Sequence, residues 1–323
     1  MHQLLRLTQS VWPPVPTPTN STERWHREIG TQYAQWLTEV RGLAPATIAD
    51  RCQRGEQFLR WLGAHGTAAE LLQLNVSQVD EYLRQRALTL RRSTRKSLAL
   101  HLRSFLRYLH GAGLVSRDLS PAVSAPTLYA FESIPSALRP EDVRAVLSAA
   151  RKDRTAKGCR DFAIVTLLAT YGLRAGEITA LRFDDIDWRH GVLRIRHSKT
   201  GAQSLLPLLE PAGNALLDYL RHSRPPSTAR EVFLRSRAPY RPFQDGSSLH
   251  TLVTRRLAAA GVRVAGKHGP HTFRHAHAVS LLRAQVPLKV IGDLLGHRAT
   301  DSTAVYLKLA TADLRAVALE VPA

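Results

Sequence analysis

The spacing of apolar and polar positions divides the chain into a helical first part and a mixed second part. Residues 20–120 carry the periodicity of amphipathic helices and show no convincing strand alternation. Pro45 is suited to the first turn of one helix, which Gly63 or Gly66 would end. The pattern therefore predicts a four-helix-like first domain.

The helix predicted from about Ser93 to His110 has two contrasting faces. Its apolar face consists of Leu98, Leu102, Phe105 and Leu109, and its opposite face, the basic stripe, consists of Arg92, Lys96, Arg103 and Arg107. No acidic residue occurs between Arg91 and Arg117. This one-sided charge favours contact with DNA phosphates, with a solvated charged face as the alternative.

A proline-rich break separates this part from the next. The segment 121–140 contains four prolines and no helical periodicity, so we place an interdomain linker at residues 121–136. Residues 1–20 include the run VWPPVPTPT and are interpreted as a flexible leader. The predicted organisation is this leader, a helical first domain at 21–120, the linker, and a second domain at 137–323.

The second domain combines helices with short strands. Helices are predicted over about 140–150 and about 161–171, and Gly172 would end the second of them. The runs VLRIR and SLLPL are typical of β-strands and are joined through a hairpin-like tip at residues 199–201. Helical segments resume near Pro211, Ser247, Pro270, Pro287 and Asp301. The predicted fold class is therefore mainly α with a small antiparallel β-sheet.

The amino-acid composition indicates a polyanionic binding partner. The 323 residues include 45 Lys and Arg against 26 Asp and Glu, a formal net charge of +19 that is typical of proteins that bind nucleic-acid phosphates. Solubility alone is the alternative explanation.

No apolar stretch is long enough to span a bilayer, and the first twenty residues lack the apolar core of a signal peptide, so we expect a cytoplasmic protein. Cys52 and Cys159 stand apart, which indicates neither a disulfide framework nor a cysteine zinc site.

Six side chains suited to phosphodiester chemistry occur in a distinctive order in the second domain. They are Arg174, Lys199, His271, Arg274, His297 and Tyr306. Arginine, lysine and histidine side chains can hold a phosphodiester, and a tyrosine hydroxyl is a nucleophile. Glu177 follows Arg174 by three residues, where a carboxylate can orient the guanidinium, with a surface ion pair as the alternative. Lys199 taken alone would be an ordinary turn lysine.

His271 and Arg274 lie three residues apart on a segment that Pro270 can initiate as a helix. Backbone N–H groups and the helix dipole favour an anion at such a terminus. The competing interpretation is a metal site made of His268, His271, His275 and His277. In HTFRH, however, Thr and Phe replace the glutamate of HExxH, and the adjacent arginine would repel a dication, so no metal site is predicted. His268, His275 and His277 are interpreted as structural residues.

Two stretches of the second domain carry a family resemblance. The chain closely resembles the tyrosine recombinases, also called the phage-integrase family, over RDFAIVTLLATYGLRAGEITALRFDDIDW and GPHTFRHAHAVSLLRAQVPLKVIGDLLGHRATDSTAVYLKL. The H-x-x-R box, the LLGH box and a tyrosine nine positions past that histidine are the specific part of the match. The resemblance extends from about Ser136 to the end and covers the helical first domain more weakly. Phe273 stands where Leu is usual, residues 175–176 are Ala-Gly, and Leu-Lys follows the tyrosine, but none of these departures touches a chemical group.

The resemblance implies a covalent mechanism that needs no cofactor and no metal. Tyr306 would attack the scissile phosphate to give a 3′-phosphotyrosyl link and a free 5′-hydroxyl. Arg174 and Arg274 would clamp the non-bridging oxygens, Lys199 would protonate the departing 5′-oxygen, His271 would handle the tyrosine proton, and His297 would hydrogen-bond the phosphate.

The same resemblance implies an architecture and an assembly. A helical DNA-binding domain and a catalytic domain would close as a C-shaped clamp on double-stranded DNA. Four protomers would exchange strands through a Holliday junction, as a homotetramer or with a related recombinase, and the protein would be nucleoid-associated when bound to DNA. A type IB topoisomerase and a non-catalytic DNA-binding regulator that kept the fold are the alternative functions.

Overall fold

A computed structural model describes residues 17–129, 137–197, 201–264, 266 and 268–296. The chain divides into two compact units, Met1–Ala130 and Phe131–Ala323, and each has its own hydrophobic core. The division between the units falls inside the predicted linker. Among the helices in the described ranges, none is both long enough and apolar enough to cross a bilayer.

The described elements of the first unit are helical. They are α1 (Ser21–Glu39), α2 (Pro45–Leu62), α3 (Ala68–Leu72), α4 (Val76–Thr89) and α5 (Arg92–Gly111), with 3-10 turns at Gly63–Gly66 and Ser120–Ala122. The side chain of Asn20 accepts the Glu23 N–H and caps the start of α1. Pro45 occupies the first turn of α2, as the sequence predicts. The four long helices agree with the predicted four-helix-like domain, to which α3 adds one short turn.

Helix α5 supplies the centre of the first unit's core. Its predicted apolar face is confirmed, because Leu98, Leu102, Phe105 and Leu109 are all buried. The ring of Phe105 packs edge-on against Tyr33 of α1, with 5.0 Å between the ring centroids. This contact joins the first and last long helices of the unit.

The second unit is mostly helical and holds one small sheet. Its helices are α6 (Pro140–Lys152), α7 (Ala156–Tyr171), α8 (Ala175–Thr179), α9 (Glu210–His222), α10 (Ser247–Ala259), α11 (Pro270–Arg283) and α12 (Leu288–Leu294), with a 3-10 turn at Phe183–Asp185. The strands β1 (Ile186–Asp187), β2 (Val192–Arg196) and β3 (Gln203–Pro207) pair antiparallel in that order. The fold class, mainly α with a small antiparallel sheet, is thus confirmed.

Two elements differ from the sequence-based expectation. Helix α7 begins ahead of the predicted start near residue 161, because the Thr155 side chain accepts the Gly158 N–H and caps the helix there. Strand β1 has only two residues, too few for an alternating pattern to indicate it. The helix predicted near Asp301 lies outside the described residues.

Helix α7 forms the centre of the second unit. Helices α6, α9 and α11 pack around it, which explains why its sequence is apolar on nearly every side. Strand β2 adds Leu193 and Ile195 to the same core, and Leu206 of β3 pairs with Leu193. Gly172 then ends α7 in the left-handed conformation, with a φ of 62°. This break directs the chain into the segment that carries Arg174.

A buried cluster of charges joins α7 to α10. The carboxylate of Asp161 is fully buried and accepts hydrogen bonds from Arg160, Arg255 and Arg256 at 2.7, 2.8 and 2.9 Å. Arg160 also donates to the main-chain oxygen of Leu234 at 3.0 Å. One buried carboxylate thus pairs with two buried guanidinium groups and with that of Arg255, whose side chain is 45% exposed.

Replacing Asp161 with alanine should destabilise the second unit by about 3–5 kcal/mol, because the buried Arg160 guanidinium would lose its carboxylate partner. Denaturant unfolding followed by circular dichroism would measure the loss. Asp184→Ala is the matched control, since Asp184 pairs with Arg230 on the surface, where an ion pair contributes at most about 1 kcal/mol. Equal losses for the two variants would contradict the prediction.

Candidate active site

Arg174 is positioned by the sharp break between α7 and α8. After Gly172 reverses the chain, Arg174 takes an extended conformation, φ −74° and ψ 151°, as the residue that precedes α8. Glu177 folds back onto this start, and its Oε2 accepts the Arg174 backbone N–H at 2.8 Å. The glutamate therefore caps the short helix as well as contacting the arginine side chain.

Two side chains share the carboxylate of Glu177. Its Oε1 accepts a hydrogen bond from Arg174 Nη1 at 2.8 Å and lies 2.7 Å from His197 Nδ1. Burial opposes ionisation of this carboxyl, but hydrogen bonds from His197 and Arg174 outweigh burial and hold the pKa of Glu177 below its usual value. The carboxylate is therefore charged near neutral pH and fixes the direction of the guanidinium. This buried pair differs from the surface ion pair considered as the alternative.

Arg174 and Arg274 meet at one turn of the chain. Arg174 Nη2 donates to Gly296 O at 3.0 Å, and Arg274 Nη2 donates to the neighbouring Leu295 O. Arg274 Nη1 also donates to Gly172 O at 3.0 Å, which ties α11 to the break before Arg174. Main-chain carbonyls thus hold both guanidinium groups in place, as is needed for two cations that act on one anion.

His271 is exposed at the start of α11. Gly269 and Pro270 begin this helix, and the backbone N–H groups of its first turn point toward its N-terminal end. Arg274 lies one turn further along and is buried. An imidazole, a guanidinium and a helix N-terminus therefore belong to one short segment, which suits it to an anion.

His275 and His277 lie on the same helix and are uncharged at neutral pH. Burial, with the nearby charges of His271 and Arg274, lowers the pKa of His275 to about 4. Burial and Arg274 likewise lower the pKa of His277 to about 4, whereas His268 is exposed. Across the described part of the chain, no group of three or more His, Cys, Asp or Glu side chains is arranged to hold a metal ion.

The stability of the protein should fall as the pH drops from about 6.5 to about 4. In that window the folded protein keeps His275 and His277 neutral while the unfolded chain protonates both, so protonation favours unfolding. The loss should be on the order of 1 kcal/mol per histidine, allowing for their partial exposure. Denaturant midpoints at neutral and acidic pH would measure it. The double variant His275→Gln/His277→Gln should flatten the dependence, and an unchanged slope would assign it to other groups.

Three predicted site residues, Lys199, His297 and Tyr306, lie outside the described residues. Their neighbours in sequence are placed. His197 opens the β2–β3 hairpin by donating its backbone N–H to Ala202 O at 2.8 Å, and residue 199 follows two positions later. Residue 297 directly follows the turn at 295–296 that accepts from both arginines. The described part of the predicted site is therefore Arg174, His271 and Arg274 with their supports.

His197 contacts Glu177 directly, yet it was not among the sequence-based predictions. Its Nε2 also lies 2.8 Å from the hydroxyl of Ser204 on β3. A signal for this position existed in the sequence. Leu193 and Ile195 of β2 and His197 directly after it alternate on one buried side, and a polar side chain in such a series requires a hydrogen-bond partner.

The basic stripe of the first unit lies against the chain that leaves α5. Arg103 donates to Val123 O through Nε at 3.1 Å and Nη2 at 2.6 Å, Arg107 Nε donates to Ser120 Oγ at 3.2 Å, and Arg92 Nη2 donates to Thr127 O at 2.7 Å. Lys96, the fourth member, is exposed. Three members of the stripe thus bind residues 120–127, which include the first part of the predicted linker. Contact between the stripe and DNA stays a prediction.

Lys96 and Arg103 should therefore respond differently to replacement by alanine. Lys96→Ala should leave the melting temperature unchanged and make the slope of log K against log salt for DNA binding shallower by about 0.9, as for one lost phosphate contact. Arg103→Ala should lower the melting temperature of the first unit, because it removes both hydrogen bonds to Val123 O. Binding isotherms across salt concentrations and thermal melts would separate the two. An unchanged slope for Lys96→Ala would make that side chain part of a solvated face.

The sequence is similar to those of a known protein family. Residues 136–313, just over half of the chain, match the model of the phage integrase family. One relative is y4gC of Sinorhizobium fredii, a candidate integrase/recombinase. It is 58% identical over 189 residues, which cover 58% of this chain and 97% of that protein. The tyrosine recombinase XerD of Pseudomonas aeruginosa is 32% identical over 294 residues, which cover 87% of this chain and 92% of that protein.

The fold is also found among solved structures. The crystal structure of a lambda integrase tetramer bound to a Holliday junction superimposes with a TM-score of 0.64. The superposition covers 94% of this chain and 84% of the integrase chain, at 17% sequence identity. At that level of identity the similarity concerns the fold alone.

Proposed function

This chain belongs to the phage integrase family of tyrosine recombinases, and we propose that it is a site-specific recombinase that cuts and rejoins duplex DNA. The observation that carries the proposal is the convergence of Arg174 and Arg274 on adjacent carbonyls at residues 295–296, with Glu177 fixing the first guanidinium. Two oriented guanidinium groups can stabilise the negative charge that develops on a phosphate during displacement.

In the proposed cleavage step, the hydroxyl oxygen of Tyr306 attacks the scissile phosphorus. A 3′-phosphotyrosyl bond forms as the bond from phosphorus to the 5′-oxygen breaks. The tyrosine loses its proton, and the 5′-oxygen gains one and leaves as a free 5′-hydroxyl. Because the new bond retains the phosphodiester energy, a 5′-hydroxyl of another strand can reverse the step without ATP.

The two arginines divide the work of binding the phosphate. The Arg174 side chain is 18% exposed, and its contacts to Glu177 and Gly296 within the described residues use two of the five guanidinium N–H groups. Arg274 is more deeply buried and is held by two carbonyls. Carbonyl oxygens carry no net charge, so Glu177 is the one carboxylate in these contacts and the pair keeps a net positive charge for the phosphate.

We assign the proton transfers to Lys199 and His271. Lys199, two positions beyond His197, delivers the proton to the departing 5′-oxygen in the proposed reaction. His271, exposed at the start of α11, handles the tyrosine proton. His297, which follows the turn at 295–296, hydrogen-bonds the phosphate. The chemistry uses side-chain cations and needs no cofactor.

Strand exchange between duplexes requires several protomers. We propose that four protomers on two DNA sites cut in pairs and pass through a Holliday junction. The lambda integrase chain that shares this fold forms a tetramer on such a junction, and the net charge of +19 suits a double-stranded DNA partner. The helical first unit would supply part of the DNA contact, with the basic stripe as the candidate surface.

A nicked suicide substrate tests the proposed function. DNA that flanks the gene, including its repeats, is labelled at the 5′ end of the strand to be cut and nicked just 3′ of the cleavage site, so that cleavage releases a short unlabelled fragment and prevents religation. We expect a protease-sensitive covalent adduct on the 3′ end. A chain that binds this DNA without forming an adduct would be the non-catalytic regulator. Adducts accompanied by relaxation of supercoiled DNA, without junction formation, would identify a topoisomerase instead.

A further inference from the structure

His197 is buried at 3% exposure, directly after β2, and both of its ring nitrogens have hydrogen-bond partners. Nδ1 lies 2.7 Å from Glu177 Oε1, and Nε2 lies 2.8 Å from Ser204 Oγ. A carboxylate can only accept, so Nδ1 must carry a proton toward Glu177. In the neutral ring, Nε2 then accepts the hydroxyl proton of Ser204.

The same ring contacts the turn that holds both arginines. A Cβ added to Gly296 would lie 2.7 Å from Cε1 of His197, so the glycine backbone passes directly over the imidazole. Gly296 has a φ of 63° and its carbonyl accepts from Arg174. His197 thus links Glu177, the β2–β3 hairpin and the turn at 295–296.

We propose that His197 is a positioning residue for DNA cleavage, which holds the Glu177 carboxylate against Arg174 and fastens the hairpin that continues to Lys199. The inference rests on the proposed recombinase function. Glu177 Oε1 receives both Arg174 Nη1 and His197 Nδ1, so removal of the imidazole leaves one buried oxygen to be oriented by the arginine alone. The guanidinium would then lose the direction in which the site holds it.

The effect should appear in the chemical step and not in DNA binding. A misplaced catalytic group of this kind costs about 10–100-fold in rate. We expect His197→Ala to slow single-turnover cleavage of the suicide substrate by that factor at saturating DNA, with the Kd for DNA unchanged, because His197 has almost no exposed surface.

Two amide substitutions separate the two hydrogen bonds. The side-chain amide of asparagine reaches about as far as Nδ1 and can donate to Glu177, whereas that of glutamine reaches about as far as Nε2 and can bond Ser204. His197→Asn should therefore recover most of the cleavage rate, and His197→Gln should stay as slow as His197→Ala. If the alanine variant folds poorly, the asparagine and glutamine variants can still be compared with each other. Thermal melts would show whether these two variants are equally stable.

A substrate with sulfur at the bridging 5′ position separates the routes to Arg174 and to Lys199. A thiolate leaves without a proton, so a defect in the proton donor is suppressed on this substrate and a defect in the phosphate clamp is not. His197→Gln, which breaks the contact to Glu177, should stay slow on it. Ser204→Ala, which removes only the hydrogen bond between His197 and the hairpin, should cleave this substrate at close to the wild-type rate.

His190 provides the matched control. Its Nδ1 lies 2.7 Å from Asp187 Oδ2 in an exposed pair at the turn between β1 and β2, so His190→Ala removes a similar contact away from the site and should cleave at the wild-type rate. Cleavage by His197→Ala at the wild-type rate, or equal rates for the asparagine and glutamine variants, would overturn the positioning role alone. A wild-type chain that forms no adduct at all would overturn the proposed function and this role with it.

Discussion

Tyr306→Phe should abolish covalent protein–DNA adducts while the affinity for DNA stays at the wild-type level. The substitution removes only the phenolic oxygen, which is the proposed nucleophile, and keeps the ring. Without an attacking oxygen the bond to the 5′-oxygen is not broken, so the loss should be complete and not partial. Denaturing gels with the nicked suicide substrate would measure adducts, and gel shifts would measure affinity.

Tyr240→Phe is the control for this experiment. Tyr240 is exposed in the second unit, and its substitution removes the same hydroxyl group outside the proposed site. We expect adducts at the wild-type yield from this variant. Adducts at that yield from Tyr306→Phe would mean that another residue attacks the phosphate, and the assignment of the nucleophile would be wrong.

The helices that the sequence predicts well carry both a start signal and an apolar stripe. Pro45, Pro140 and Pro270 lie in the first turns of α2, α6 and α11. Helix α5 follows its predicted limits closely because its stripe is uninterrupted. Local preferences and packing agree in these segments, so the pattern suffices to place them.

The first half of α7 is harder to predict because its second turn contains charged residues that are nevertheless buried. Arg160 and Asp161 look like surface positions in a hydropathy pattern. They are buried because each finds its counter-charge within the second unit, and Arg255 and Arg256 arrive from a helix about 95 residues away. A pairing across that separation leaves no local signal.

In the candidate site, contacts between residues close in sequence are likewise easier to predict than contacts between distant residues. Arg174 and Glu177 are three residues apart, and that spacing alone predicts their contact. The contact between Glu177 and His197 depends on the hairpin, and the bond from Arg274 to Gly172 joins residues 102 positions apart. Motif spacing could name the arginines but not the carbonyls that hold them.

For the basic stripe, the sequence pattern does not predict the packing partner. A helical projection predicts which face of α5 is cationic, but it does not show which segment returns to pack on that face. Arg103 and Arg107 contact residues 123 and 120, which follow the helix in sequence. The arginines therefore have a structural role that competes with the predicted DNA contact, and Lys96 is the member best suited to test that contact.

Lys199→Ala should be severely slow on ordinary DNA and close to wild type on the bridging 5′-phosphorothiolate substrate. The 5′-oxygen leaves as an alkoxide of high pKa, so cleavage without a proton donor should be slower by about 10²–10⁴-fold, or roughly 3–5 kcal/mol in the barrier. The thiolate leaving group needs no proton, which removes the requirement for the lysine. Single-turnover rates on the two substrates would measure the difference.

Arg174→Ala should stay defective on both substrates, because the guanidinium stabilises the phosphate and not the leaving group. Arg144→Ala, an exposed arginine on α6, is the control and should cleave both substrates normally. The contrast between the lysine and arginine variants is what distinguishes proton donation from charge stabilisation. If Lys199→Ala is equally impaired on the two substrates, the lysine clamps the phosphate or holds the hairpin in place, and its assignment as the proton donor is wrong.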